Sequence, residues 1–126
     1  MFRNIFFVVA AGMICLLQSA SASDLKFPIV EKADGNFDTC ALGQVSGVDG
    51  SDGFLAVRAG PDGAFEKIGE LKNNDQIWIY QKLGNWLGVV YATDEVECSP
   101  IEEDRAVQTG GKKGWVHEDW VQITAG

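Results

Sequence analysis

With 18 acidic against 10 basic side chains in 126 residues, the chain carries a net charge of −8. No basic stripe offsets that charge, which argues against nucleic acid and anionic lipid as partners. The length accommodates one small domain with a thin core and leaves no room for two domains or a large catalytic cleft.

The first segment is unlike the rest. Arg3 supplies its one charge, residues 5–17 are apolar but for Gly12, and Ala20-Ser21-Ala22 sets small residues at a cleavage-type spacing. That apolar run falls short of the ~20 residues a membrane-spanning helix needs, and Gln18 begins a polar stretch at once. Residues 1–22 therefore read as a signal peptide, with a periplasmic or secreted product and no membrane attachment after cleavage. Its loss removes Arg3 and no acid, leaving 104 residues at a charge of −9. Cys15 departs with it, and Gly12-Met13-Ile14 is a poor lipidation signal. Cys40 and Cys98 remain, and in an oxidising compartment they are expected to form a disulfide. A reactive thiol at Cys98 is disfavoured by Glu95, Glu97 and Glu102 around it.

Residues 23–40 mix Pro28 and Asp34-Gly35 with scattered apolar positions and are expected to be a lead-in segment. From there to residue 124 the chain is a series of short β-type runs at 41–48, 54–58, 65–71, 76–82, 86–91, 114–117 and 121–123, broken by Gly, Asn, Asp and Pro. In the central run Ile77 and Ile79 alternate with Trp78 and Tyr80. The isoleucines are assigned to the core face, and Trp78 is expected to be outward or half covered. Residues 93–112 differ in composition, with Asp94, Glu95, Glu97, Glu102, Glu103 and Asp104 in one stretch. They read as an acidic insertion in a hairpin, stapled down if Cys98 bonds Cys40.

Leu55-Ala56-Val57-Arg58-Ala59-Gly60-Pro61 followed by Phe65-Glu66-Lys67-Ile68-Gly69-Glu70-Leu71 resembles the opening of bacterial SH3 domains. Asp75 to Tyr80 is similar to the next barrel strand, Gly84-Asn85-Trp86-Leu87-Gly88-Val89 to the family's "GgWykV", and Gly114-Trp115-Val116-His117 with Trp120-Val121 to its closing "GWVhssYl". The resemblance implies an all-β, partly open SH3-like barrel of five or six strands that acts as a binding or targeting module toward peptides or peptidoglycan. It implies no catalysis, and no cofactor is expected. The chain departs from the family in its acidic insertion and in having no accompanying hydrolase domain, which favours a stand-alone module that binds a protein or peptide.

In eukaryotic relatives of this barrel a peptide groove is lined by a Trp opening the third strand and by residues around the last turn. The matching positions are Trp86, His117 and Trp120, whose flat rings suit proline or sugar rings. Asp62 and Glu66 are expected to orient a basic ligand group. Trp86 and Trp115 also fall where an aromatic ring closes the barrel. Trp78 stands where the family has a polar residue and marks an outlying contact patch, unless residues 24–37 fold back over it. The single His117 cannot build a zinc site with cysteines paired elsewhere, the acids lack calcium-loop spacing, and no Ser-His-Asp or Cys-His set can be assembled. An alternative function is that of an inhibitor or immunity-type protein whose acidic insertion, with Glu102, Glu103 and Asp104, blocks a basic enzyme cleft.

Overall fold

The computed structural model describes residues 25–33, 39–49, 53–108 and 110–125, so the signal peptide expected at residues 1–22 lies outside the described residues. The described chain forms strands β1 (Val30–Glu31), β2 (Ala41–Val45), β3 (Leu55–Arg58), β4 (Lys67–Leu71), β5 (Gln76–Leu83), β6 (Trp86–Tyr91), β7 (Arg105–Ala106), β8 (Lys112–His117) and β9 (Val121–Ala125), with a 3-10 turn, η1 (Glu118–Trp120), before the last. Seven strands make one antiparallel sheet in the order β4-β3-β8-β6-β5-β2-β9, and β1 pairs with β7. This is the all-β, SH3-like architecture expected from the sequence.

The turn chemistry explains the register. Leu83 pairs with Trp86, which leaves Gly84-Asn85 as a two-residue hairpin turn with Gly84 at φ +61°. Register shifts fall between Leu42 and Gly43, between Val57 and Arg58, and between Ile79 and Gln81. Such irregularities bend strands and increase their twist, which lets a short sheet curl around its own core.

Alternation then sorts the side chains. The inner face buries Val45, Leu55, Val57, Ile77, Val89 and Val116, among others, in one cluster. Ile77 and Ile79 belong to it, as expected. The aromatic side of β5 is also a core. Tyr80 joins Ile29, Cys40, Val90, Val107 and Trp115 in a second buried cluster, and Trp78 packs half-buried against it. Trp78 is thus half covered, as the alternation of β5 leads one to expect, and packs against this second layer.

The second core takes in part of the segment that precedes β2. Ile29 is 2% exposed, and Phe27 meets Trp115 edge-on with ring centroids 5.8 Å apart. The backbone is anchored as well: Trp115 Nε1 donates to the Phe27 carbonyl at 2.9 Å, Val30 N donates to Gln81 Oε1 at 2.8 Å, and both Lys26 N and Phe27 N donate to the Ala59 carbonyl. Room for this crossing exists because position 88 is glycine. A Cβ there would lie 2.9 Å from Ile29 Cγ2 and 3.2 Å from Trp115 Cη2.

The acidic insertion closes over the same face. Cys40 and Cys98 form a disulfide, Thr39 N donates to the Cys98 carbonyl, and the Tyr80 hydroxyl donates to the Glu97 carbonyl at 3.2 Å. The insertion connects the antiparallel pair β6 and β8, as expected, and within it β7 also pairs with β1, so the hairpin loop is laddered to the N-terminal segment. Glu31, 5% exposed, accepts from Thr39 Oγ1 at 3.0 Å and from Arg105 Nε at 2.8 Å. A buried carboxylate with both oxygens engaged escapes the penalty of an unpaired charge. Burial, reinforced by the Glu31 carboxylate, pushes the Tyr80 phenol up to about 12.

Three outcomes test this double-core arrangement. Replacing Cys40 and Cys98 together by Ser is expected to lower unfolding free energy in urea by about 2–4 kcal/mol, and the untreated protein should show no free thiol at either position. Ile29→Ala is expected to cost about 2–5 kcal/mol in the same assay, whereas a true lead-in residue would cost almost nothing. Because the folded-state pKa of Tyr80 lies above its ordinary value of 10.0, its contribution is fully present below pH 10 and is lost as pH rises toward about 12. Alkaline unfolding followed by Trp fluorescence should show a larger loss in the parent than in Tyr80→Phe, which keeps only the share due to the burial-raised Tyr91 phenol.

Candidate functional site

The outer face of the sheet is only partly roofed. Residues 25–33 and the insertion cover the part carrying Val90 and Trp115, and beside them an open cleft of about 500 Å³ remains. Its floor comes from β3, where Leu55 and Val57 point into the inner core and Ala56 and Arg58 therefore face out. The small Ala56 side chain gives the cleft depth.

Trp86 opens β6 directly after the Gly84-Asn85 turn, and its register partner on β8 is His117. Their rings meet edge-on at 5.3 Å with an interplanar angle of 76°. Trp86 also packs against the second core, so it stands at the boundary between roofed and open surface. His117 in turn caps η1: its Nδ1 accepts from Asp119 N at 3.1 Å, which leaves Nε2 to donate in the neutral ring. Glu118 N donates to the Asn85 carbonyl, and Lys82 pairs with the Glu118 carboxylate, docking η1 onto the β5–β6 turn. These contacts set Trp120 at the cleft edge, 39% exposed. On the far side Ser46 N donates to the Trp120 carbonyl, and Gly47 turns the chain past the indole at φ +81°. Phe54, 44% exposed, completes the aromatic lining, with Lys67 Nζ 4.5 Å from its ring centroid.

Of the residues expected from the sequence, Trp86, His117 and Trp120 come together in this cleft. Asp62, Glu66 and Trp78 do not line it. Asp62 spends its carboxylate within its own turn, accepting from Ala64 N at 2.8 Å, and Glu66 is exposed outside the cleft. Trp78 pairs with Val90 across the β5–β6 ladder and belongs to the second core. The structure adds Val48, Asp49, Phe54 and Arg58. Two of these had a signal in the sequence: alternation from Leu55 and Val57 puts Arg58 on the outer face, and Phe54 is a bulky apolar residue directly before the strand, beyond the Asp52-Gly53 break.

The lining offers flat rings, one imidazole, one guanidinium and one carboxylate, a set suited to packing and hydrogen bonding. No Ser, Thr or Cys side chain is among the lining residues. Among the described residues no three of His, Cys, Asp and Glu converge as they would on a metal ion.

The bacterial SH3 domain family matches residues 53–122, which run from β3 to the start of β9 and include the insertion. Comparison with curated proteins and with solved structures gave no significant match. The covered span exceeds half of the chain and holds every element that builds the cleft except the end of β2 and the residues just after it. This protein belongs to the bacterial SH3 domain family, whose members act in general as binding modules without catalysis.

Proposed function

We propose that this protein is an exported binding module that holds a peptide segment in the cleft formed by Phe54, Trp86, His117 and Trp120. The observation that carries the reading is the exposure of Phe54 and Trp120 beside the otherwise roofed outer face. A small acidic domain has little apolar area to spare for solvent, and adjacent exposed rings on a concave surface are typical of recognition sites. The ring edges and faces suit proline and aliphatic side chains, and Nε2 of His117 supplies a donor for a peptide carbonyl.

Export is supported by the leader pattern in residues 1–22 and by the Cys40–Cys98 disulfide, which persists in an oxidising compartment such as the periplasm. The acidic insertion supports the inhibitor-type reading less well. Asp104 is engaged internally, accepting from Ala33 N at 2.7 Å and lying 3.6 Å from Lys32 Nζ, so Glu102 and Glu103 alone of that triplet are left to face a basic cleft.

Trp120→Ala and Trp86→Ala are expected to retain the parent's near-ultraviolet and thermal signatures to different degrees, since Trp86 also packs on the second core. Both should weaken binding in a peptide array and in a pelleting assay with insoluble peptidoglycan, the Trp120 variant by about 10-fold or more. Folded Trp120→Ala protein that binds as the parent does would refute the cleft reading. Binding lost only when Glu102 and Glu103 are neutralised would favour the inhibitor-type alternative.

A further inference from the structure

Arg58 gives the cleft a polarity that the aromatic rings do not. It lies half-buried on β3, facing out beside Ala56, in a chain whose net charge is −8. Arg105, the other arginine of the described residues, is held by Glu31, and Lys32, Lys67 and Lys82 each have a carboxylate partner. Arg58 forms no ion pair with any described residue. Among the described residues its one hydrogen bond runs from Nη1 to the Phe65 carbonyl at 3.1 Å, which steadies the 59–66 turn and leaves most of its five N–H donors without a described partner.

A guanidinium fixed at one edge by a backbone carbonyl is pre-organised to present its remaining donors as a fork. That fork matches a carboxylate, and the partial burial of Arg58 strengthens the contact. The acids near the cleft oppose it weakly. Asp49 is exposed, the Asp119 side chain is 72% exposed, and Glu118 is paired with Lys82, so solvent and pairing screen all three. Asp62 and Glu66, which would have favoured a basic ligand, lie outside the cleft.

Resting on the cleft reading above, we infer that the site selects peptides that carry a carboxylate next to a proline or other apolar residue, with Arg58 as the residue that determines this specificity. The carboxylate is supplied either by an Asp or Glu side chain or by a free chain end.

The test is a positional-scanning library of N-acetylated octapeptides, made once with amidated ends and once with free acid ends, bound to the full exported chain. Peptides whose binding is lost in Trp120→Ala are scored as cleft-dependent. Among them the parent should prefer acidic over neutral residues at one position, or free over amidated ends, by about 10-fold. The amidated and free-acid arms separate the two sources of the carboxylate. Arg58→Gln should abolish the preference while leaving residual cleft binding, Arg58→Lys should retain part of it, and the parent's preference should shrink as salt is raised. Should Arg58→Gln fail to fold, the parent's own acid-to-neutral ratio and the Lys variant still decide. Cleft-dependent peptides with no acidic or free-acid preference would overturn the inference and leave the cleft reading intact. A library with no cleft-dependent peptide at all would overturn both.

Discussion

Everything in this domain depends on covering the outer face of one small curled sheet. A sheet this short cannot bury Val90, Tyr80 and Trp115 against its own inner core, because alternation sends them the other way. Left in water, they would expose a large apolar patch. Two segments that are distant in sequence solve the problem jointly: residues 25–33 lay Ile29 into the space above Gly88, and the acidic insertion contributes Val107 and the chain around Cys98. The resulting two-layer packing gives a domain of limited length a second core.

The polar contacts follow from that cover. A strap crossing an apolar face brings buried backbone groups with it, and each needs a partner. The Phe27 carbonyl takes the Trp115 indole N–H, Val30 N takes the Gln81 amide, and Val107 N takes the Ile29 carbonyl. Glu31, the one buried charged group among the described residues, is met by Thr39 on one carboxylate oxygen and Arg105 on the other. The disulfide then ties the base of β2 to the insertion, so that both halves of the cover are fixed to the sheet and to each other. No buried side-chain nitrogen or oxygen among the described residues lacks a partner.

The same cover defines the cleft by stopping short of it. Trp86 stands at its edge, with one side against the second core and the other beside His117. Beyond it, η1 is capped by His117 and docked by Glu118, which sets the angle at which Trp120 faces solvent. The cleft's geometry is thus supplied by strand ends and a capped turn, while the strap packs against Trp86. A peptide laid in this cleft would meet aromatic surface along its length and a single fixed cation at β3.

The strand-and-turn punctuation, the alternation of Ile77 and Ile79 with Trp78 and Tyr80, and the four ordered motifs from Leu55 to Val121 carried the all-β barrel, because they are local signals with a period or a turn chemistry. The grouping of Trp86, His117 and Trp120 was legible for the same reason, through motifs whose positions in the barrel are set by register. Half coverage of Trp78 was legible too, but the buried roles of Leu25, Phe27 and Ile29 were not. The N-terminal residues do place apolar side chains at every second position, but Pro28 interrupts the run, and the surface that receives them is assembled from β5, β6 and β8, far along the chain. Likewise Asp62 and Glu66 carried the right chemistry at a reasonable distance in sequence, yet the turn that holds them leads away from the cleft. The sequence by itself determined the seven longer strands, the core face of β5 and the pairing of two cysteines. Tertiary structure alone decided which outer-face residues are roofed and which are left open, since that division depends on where two remote segments come to rest.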